Sequence, residues 1–366
     1  MATTNKSTKT CKQIRIEQCG DISVGIDAHK KTLAVSLWSI EHDCEVKRWV
    51  QPADAQALIR SLSPYRQQIK HIAYEAGPTG FVLARALAAD GWPVIVTSPA
   101  DIPAGRNEAK SDKRDAKRIA RLGGKNLLPS CWIPTVAEED ERRMVRLRSR
   151  ALCDKSRVQI RIKSLLLCNG IPEPAGLRNW SKAALQALKD LECSQDVRWC
   201  LGMHLVQLET AMQHLNTCNH RLRLLAQRPH LRCEIEVLIT ISGIGELTAL
   251  VFIVEMGRRG RFNNRLEVSK YQGLAPEVES TGESRFELEL NNSGNRRLRA
   301  VLIEAAWRWV AYDPYARELY GQMLHNTGNK NKAIVAVARK LGIVMWSLRE
   351  KHEAYERSKG MPKPTR

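Results

Sequence analysis

The sequence lacks the cysteine spacing that is typical of metal-binding and redox proteins. None of its ten cysteines forms a C-x-x-C pair, and no Cys/His cluster has the spacing of a zinc site. The Met1–Gly20 segment is polar and basic, without the apolar core of a secretory leader. No stretch is both long and apolar enough to span a bilayer. We therefore expect neither a disulfide framework nor a membrane protein, but a reduced, soluble, cytoplasmic chain.

Positive charge, by contrast, is in excess. The 366 residues include 58 Lys and Arg against 39 Asp and Glu, which gives a formal net charge of +19. Hydrophobic residues make up 43% and charged residues 27%, so wholesale disorder is excluded, and the length suits about two or three domains. Because basic residues recur along the whole chain, we expect a polyanionic partner such as DNA or RNA.

Strand and helix periods alternate in residues 21–130. Runs rich in β-branched residues predict the strands Ile22–Asp27, Thr32–Ser39, Val46–Val50, His71–Glu75 and Pro93–Thr97. Helical spacing predicts Ala55–Leu62, with Asp54 as its N-cap, and Thr79–Ala89. An early meander of strands that then alternate with helices predicts a mixed α/β sheet. This order of elements resembles an RNase H-like domain.

Helical patterns dominate the rest of the chain. Residues 131–232 contain two long ones, at 137–167 and 196–225, which suit antiparallel helices, a coiled coil or a dimer arm, or else a plain helical spacer. Residues 233–355 predict a compact helical domain punctuated by glycines. The basic segments 1–20 and 356–366 are expected to be flexible. The fold class is therefore α/β followed by an all-α part.

Four carboxylates are predicted to gather at one edge of the sheet. Asp27 and Glu75 end predicted strands, and Asp112 and Asp115 have the i,i+3 spacing of one helix face. Hard cations take oxygen ligands, so the set can hold one or two Mg²⁺ ions for phosphoryl transfer. Taken singly, each acid also fits a structural role at a strand end, a turn or a helix cap. Nearby cations would attract a phosphodiester: Lys110, Lys113, Arg114, Lys117 and Arg118.

The C-terminal region contains further candidate contacts to nucleic acid. Gly243 and Gly245 form a G-I-G turn whose backbone N–H groups can bind phosphate, although a tight turn between packed helices is the alternative. The stretch around Ser280 and Thr281 is acidic and is expected to form a loop. Basic residues begin two predicted helices, either as phosphate contacts or as solvated helix ends: Arg296, Arg297, Arg299, Lys330 and Lys332.

Several of these motifs resemble the DEDD transposases of bacterial insertion sequences. The N-terminal motifs are G-I-D-x-x-K from Gly25, Y-E-A-x-x-x-G-F from Tyr74 and D-x-x-D-A from Asp112. The G-I-G turn resembles the helix-hairpin-helix of that family, and it is followed by G-L-A-P from Gly273 and G-N-R-R-L-R from Gly294. The resemblance spans residues 22–355. It implies a RuvC-like catalytic domain, with a C-terminal transposase domain after the helical linker.

The resemblance also implies roles and partners that composition does not reveal. It makes Ser280 the nucleophile that links covalently to DNA, with Thr281 as the alternative because the alignment is ambiguous by one position, and with Ser284 and Ser293 as further candidates for the same role. It implies a structured bridge RNA that specifies donor and target DNA. It further implies a homodimer or tetramer whose active sites are shared between subunits. We therefore predict an insertion-sequence transposase that cuts and rejoins DNA with the four acids, Mg²⁺ and a serine.

Two other functions remain compatible with the same residues. A metal-dependent nuclease of the Holliday-junction-resolvase kind needs only the four acids and forms no covalent link to DNA. A non-catalytic nucleic-acid-binding protein, derived from an inactive element, needs only the basic surface. The two differ from a transposase in whether a protein–DNA adduct forms and in whether DNA is cut at all.

Overall fold

The chain divides into two compact units in the computed structural model, Met1–Thr135 and Val136–Arg366. The structure describes residues 16–77, 79–99, 102, 112–281, 284–290 and 294–356. Within these ranges it describes all side chains except those of residues 17, 112–113, 277–281 and 284–290. Lys110 is therefore outside the described residues, as are the side chains of Asp112, Lys113, Ser280 and Thr281.

The N-terminal unit is built on a five-stranded mixed sheet with the order β3-β2-β1-β4-β5. Its strands are β1 Ile22–Ala28, β2 Thr32–Ser39, β3 Cys44–Pro52, β4 Ile69–Glu75 and β5 Val94–Thr97. The first three form an antiparallel meander, whereas β4 pairs parallel with β1 and β5 pairs parallel with β4. The prediction of a mixed α/β sheet of RNase H-like type is confirmed.

Helices cover both faces of this sheet. They are α1 Ala55–Leu62, α2 Val82–Ala89 and α3 Asp112–Gly124. Because side chains alternate along a strand, Val24 and Ile26 of β1 enter the main apolar core, to which α1 and α2 contribute Leu58 and Leu87. The opposite face of β1 carries Gly25 and is covered by α3. The two faces thus have separate partners, and only one of them carries the predicted acids.

The C-terminal unit is mostly helical. Its helices are α4 Val136–Cys168, α5 Lys182–Lys189, α6 Gln195–Ala226, α7 Pro229–Leu238, α8 Glu246–Met256, α9 Arg265–Tyr271, α10 Arg296–Tyr312, α11 Pro314–Thr327 and α12 Lys330–Lys351. The start of α4 shares an apolar cluster with the end of α6, and the end of α4 shares another with the start of α6. These two helices therefore pack antiparallel. Buried leucines recur every seven residues along α6, as in a coiled coil: Leu201, Leu208, Leu215 and Leu222.

A two-stranded hairpin interrupts the helices of this unit. β6 (Pro276–Thr281) pairs antiparallel with β7 (Ser284–Leu290), and Ser280 lies opposite Arg285. The expectation of a loop around Ser280 is wrong. Apolar and acidic residues alternate along both segments, and this two-residue period favours a strand over a loop.

The structure can be compared with the sequence for membrane-spanning helices and for cysteines. Among the described residues, no helix is long and apolar enough to cross a membrane. Eight cysteines in the described part of the chain are free.

Candidate active site

Asp27 and Glu75 lie side by side where two neighbouring parallel strands end. In the β1–β4 register Ile26 is beside Tyr74, and the next residue on each strand is an acid. The Asp27 side chain is 19% exposed, with its Oδ2 atom 3.1 Å from Nε2 of His29, and Glu75 is exposed. Residues at one level of parallel strands project from the same face, so both acids belong to the face that α3 covers.

Helix α3 crosses that face in direct contact with the strand backbone. A Cβ atom at Gly25 would lie 2.2 Å from the carbonyl oxygen of Ala116 and 2.3 Å from the backbone nitrogen of Ala120. Nearer the start of β1, a Cβ atom at Gly124 would lie 3.5 Å from Ser23, so α3 runs antiparallel to β1. The glycine of the G-I-D segment therefore has a packing role, since any larger residue would push α3 away from the strand.

This crossing places the start of α3 at the edge where β1 and β4 end. Positions 112, 116 and 120 form one row along the helix, and Ala116 and Ala120 of that row lie on β1. Asp115 precedes Ile119 by one turn, and Ile119 packs against Ala73 of β4. The backbones of Asp112 and Asp115 therefore lie on the side of α3 that faces the sheet, toward the end where Asp27 and Glu75 lie.

The predicted donors at this edge suit a hard divalent cation. All four are carboxylates, and oxygen is the ligand atom that Mg²⁺ prefers. Among the side chains that the structure describes, no three His, Cys, Asp or Glu groups are close enough together to hold a metal. The side chain of Asp112 is not among those that the structure describes. The fit therefore rests on the backbone, which brings two strand ends and one helix start to the same edge.

The predicted basic residues of α3 have different surroundings. Lys117 faces β2 and β3, where its Nζ atom is 3.9 Å from the Glu45 carboxylate and 5.8 Å from the ring centre of Trp38. Arg114 is exposed, whereas Arg118 is partly buried, with one guanidinium nitrogen that has no hydrogen-bond acceptor among the described residues. Lys117 is thus partly neutralised by an acid that sequence reasoning did not connect with it.

The glycines of the G-I-G turn between α7 and α8 differ in role. Gly243 has a φ of +86°, and a Cβ atom there would lie 2.9 Å from the backbone of Arg308 on α10. Gly245 is the N-cap of α8, and no other part of the described structure lies within 4 Å of its Cβ position. Gly243 therefore has the surroundings of a packing glycine, whereas the helix start at Gly245 is open to a phosphate.

The β6–β7 hairpin leaves the core at a close contact between two glycines. A Cβ atom at Gly294 would lie only 2.2 Å from the Cα atom of Gly273. Asn295, the next residue, donates its backbone N–H to the carbonyl oxygen of Tyr271 at 2.8 Å. The two ends of the hairpin are therefore anchored at one place, which fixes the base of the segment that carries Ser280.

Asn295 also connects this base to a buried carboxylate. Its Nδ2 atom donates to Oε2 of Glu255 at 2.9 Å, and Arg146 of α4 donates to both carboxylate oxygens at 3.0 Å. Glu255 is 0% exposed, and the Tyr271 hydroxyl donates to its carbonyl oxygen at 2.7 Å. Sequence reasoning missed this network. The available signal was an acid near the end of the apolar helix α8, since a buried carboxylate requires partners.

Acid should weaken the C-terminal unit through Glu255. Burial alone would raise the pKa of this carboxyl, but hydrogen bonds from Arg146 and Asn295 and the charges of Arg146 and Arg142 outweigh burial, so the pKa lies below its ordinary value of 4.5. A lowered pKa in the folded state stabilises the protein above the unfolded-state pKa, and this stabilisation is lost as the pH falls through the folded-state pKa. We therefore expect the difference in unfolding free energy between wild type and Glu255→Gln to shrink below pH 4.5.

Denaturant titrations at a series of pH values measure this difference. Glu236→Gln is the matched control, because Glu236 is exposed and forms an i,i+4 ion pair with Arg232. The control should differ from wild type by nearly the same small amount at every pH. A gap for Glu255→Gln that stays constant as the solution is acidified would contradict the prediction.

The basic residues predicted at helix starts follow side-chain caps. Asn295 accepts from the first backbone N–H groups of α10, and Asn329 does the same for α12. Arg299 donates to the carbonyl oxygen of Gly273 at 3.3 Å, so it helps to hold the base of the hairpin. The exposed members of the set are Arg296, Arg297, Lys330 and Lys332.

The sheet order, the acids at parallel strand ends and the D-x-x-D helix across Gly25 define an RNase H-like domain of the DEDD type. Residues 24–168 match the DEDD transposase family of the IS110 group, and residues 235–321 match the family described as "Transposase IS116/IS110/IS902 family". The resemblance inferred from the sequence is thereby confirmed.

Individual relatives extend the match over most of the chain. It is 32% identical over 297 residues to the putative transposase y4rJ of Sinorhizobium fredii, covering 74% of this chain and 75% of that protein. It is 28% identical over 358 residues to the putative transposase y4qE of the same species, covering 89% of this chain and 87% of that protein. It is 23% identical over 266 residues to the pilin gene-inverting protein of Moraxella lacunata, covering 68% of each. The chain belongs to the IS110-type family of insertion-sequence transposases.

Proposed function

We propose that this transposase cuts and rejoins DNA strands with an acid cluster (Asp27, Glu75, Asp112 and Asp115) that binds one or two Mg²⁺ ions, and with Ser280 as nucleophile. A structured bridge RNA specifies the donor and target DNA. The protein acts in the cytoplasm, as a homodimer or tetramer. The cluster belongs to the N-terminal unit and the serine to the C-terminal unit, and their action on the same DNA strand is part of the proposal.

The crossing of α3 over Gly25 is the observation that carries the proposal. It brings the backbone of a D-x-x-D helix to the edge where Asp27 and Glu75 end parallel strands. Structural roles for the four acids taken one at a time do not account for this convergence. Bound Mg²⁺ supplies charge neutralisation and orientation to a phosphodiester. The carboxylates of the cluster would hold the ions.

The anchored hairpin supports a nucleophile at Ser280. A reactive hydroxyl is most effective on an element of fixed geometry, and the contact between Gly273 and Gly294 fixes the base of this one. In the proposed step the Ser280 oxygen bonds to phosphorus while the bond from phosphorus to a sugar oxygen breaks. The serine loses its proton and the departing sugar oxygen gains one. The reverse attack by a sugar hydroxyl rejoins the strand and releases the serine.

An exposed apolar stripe on α6 supports assembly into oligomers. Trp199, Met203 and Val206 are 69%, 46% and 60% exposed, and their spacing places them on one face of the helix. Large apolar side chains that are exposed together mark interaction surfaces more often than they mark free surface. We therefore assign this face of α6 to pairing between copies of the chain.

The charge of the chain supports partners that are long polyanions. A net charge of +19 is spread over both units and exceeds what a few phosphate contacts at one site would neutralise. Composition does not separate DNA from RNA. The bridge RNA enters the proposal through the family resemblance alone, and the assay below includes it as a component that can be withheld.

The proposal is tested by incubating the protein with RNA from the flank of the element, labelled donor DNA and Mg²⁺, followed by denaturing electrophoresis. We expect a covalent protein–DNA adduct for wild type that is lost in Ser280→Ala. Thr281→Ala and Ser284→Ala are matched controls within the same hairpin and should retain the adduct. Withholding Mg²⁺ or the RNA should abolish it in every variant.

Other outcomes would assign the chain differently. Loss of the adduct in Thr281→Ala alone would move the nucleophile by one residue. Cleavage without an adduct in all variants would indicate a hydrolytic nuclease of the junction-resolvase kind. Binding without any cleavage would indicate an inactive nucleic-acid-binding protein.

A further inference from the structure

A cleft in the C-terminal unit, between α9, α11 and α12, carries a cluster of cations. Arg265 of α9 and Arg339 and Lys340 of α12 line it, together with apolar and small residues. No carboxylate is among its described lining residues. We call this feature the α12 cleft. None of its three cations forms an ion pair with a described residue, unlike Arg146 of the same unit, which pairs with Glu255.

These cations are held together against their mutual repulsion. Burial lowers the pKa of Lys340, and the charges of Arg265 and Arg339 lower it further. Arg339 and Lys340 are half-buried, so solvent screens them less than it screens charges on a fully exposed surface. An anion seated among the three side chains would offset both the repulsion and the partial loss of hydration.

Most of the remaining lining of the α12 cleft is apolar. Leu266, Leu319, Met323 and Ile343 form its wall, and Leu266 is 60% exposed. A small inorganic anion has no apolar groups to pack against this wall. A nucleic-acid strand can pack against it, because it presents sugars and bases on one side of a chain of phosphates. The combination of a cationic end and an apolar wall therefore favours a polymeric phosphodiester over a free anion.

The position of the cleft connects it with two features already described. Ala275 and Pro276 line it at the point where β6 leaves the core, so it adjoins the base of the Ser280 hairpin. Lys332, Ala336 and Arg339 follow one another along a single row of α12. The rise from Lys332 to Lys340 is about 12 Å, which is long enough for more than one phosphate.

We propose that the α12 cleft binds the phosphodiester backbone of a nucleic-acid strand through Arg265, Arg339 and Lys340, with the sugars or bases against its apolar wall. The strand would then run along α12 and reach the base of the hairpin. The inference deepens the proposed function by adding a binding site close to the proposed nucleophile. It rests on that function only in taking a nucleic acid as the ligand.

Salt-dependent binding without Mg²⁺ tests the proposal separately from cleavage. The probes are a labelled single-stranded DNA, an RNA of the same sequence and the corresponding DNA duplex. Replacing Arg339 and Lys340 by Gln in one double variant should lower the slope of log affinity against log salt by about one for each lost phosphate contact. It should also weaken binding at low salt more than at high salt. The probe whose slope falls identifies the strand, DNA or RNA, that occupies the cleft.

Two further variants separate charge from folding. Replacing Lys182 and Lys189 of α5 by Gln removes the same charge from a distant exposed surface, and the slope should stay that of wild type. Arg339→Lys keeps the charge and should also keep the slope. If the double variant fails to fold, Lys340→Gln alone should still lower the slope by about one.

An unchanged slope for all three probes, or an equal drop in the α5 control, would overturn the proposal. A failure of this inference can be told apart from a failure of the proposed function. If the slope falls but no adduct ever forms, nucleic-acid binding in the α12 cleft is supported and the serine chemistry is rejected. If an adduct forms but the slope is unchanged, the serine chemistry is supported and binding in the cleft is rejected.

Discussion

Asp27→Asn should reduce strand cleavage and rejoining roughly a thousandfold. Bound metal contributes several kcal/mol of charge stabilisation to phosphoryl transfer, and each ~1.4 kcal/mol is a factor of ten in rate. The amide of Asn is nearly the same size as the carboxylate but carries no charge, so it ligates a hard cation poorly. The substitution should leave stability almost unchanged, because Asp27 lies at the edge of the sheet and the partner of its Oδ2 atom, His29, is half-exposed.

Asp21→Asn is the matched control for this loss. Asp21 precedes the same strand, is exposed and forms an ion pair with Lys70 at 3.2 Å. It lies at the opposite end of β1 from Asp27, so it should retain full activity. Both variants should be assayed with the same RNA, donor DNA and Mg²⁺, with thermal unfolding measured in parallel. Full activity in Asp27→Asn, with an intact fold, would exclude the acid cluster as the catalytic centre.

Gly25→Ala should destabilise the N-terminal unit by about 3 kcal/mol, the upper part of the range for overpacked cores. The added methyl group would meet the backbone of α3 at 2.2 Å, and a backbone cannot rotate out of the way as a side chain can. Helix α3 must therefore move off β1. Activity should fall as well, because the same displacement carries Asp112 and Asp115 away from the strand ends.

Hydrogen exchange of the α3 amides measures this effect locally, and denaturant unfolding measures it globally. Gly77→Ala is the control, because the nearest atom to a Cβ at Gly77 is the carbonyl oxygen of Glu75 at 3.9 Å, an ordinary contact. The control should keep the protection of α3. Unchanged protection in Gly25→Ala would mean that α3 does not lie on β1 as described.

Much of the N-terminal unit could be predicted from the sequence. The strand Thr32–Ser39 and the helix Ala55–Leu62 have the predicted bounds, and Asp54 is the N-cap, accepting hydrogen bonds from two backbone N–H groups. These elements were predictable because their periods of two and 3.6 residues are continuous and their ends carry turn or cap residues. The long helices α4 and α6 were predictable for the same reason.

What the sequence did not reveal depends on contacts between distant residues. The sequence predicts a loop where the Ser280 hairpin lies, because Ser280-Thr281-Gly282 is typical of a turn and this signal obscures the two-residue period. The contact of Glu255 with Arg146 joins residues more than a hundred positions apart. The packing role of Gly25 could not be predicted either, since the G-I-D motif shows that a glycine is present but not which helix lies against it. Local pattern predicts elements, whereas these features arise from packing.

The α4–α6 pair has a mechanical consequence. Helix α4 spans 33 residues, which makes it about 50 Å long. Its ends are fixed in separate apolar clusters, and between them a groove runs beside the small residues Ala151 and Ala211. Between the two clusters the described residues of the pair bury only Ala151 of α4 and Leu215 of α6, so bending there would disturb less packing than bending at either end. We therefore expect any flexing of the pair to concentrate beside this groove, with the end that carries α5 moving as a lever.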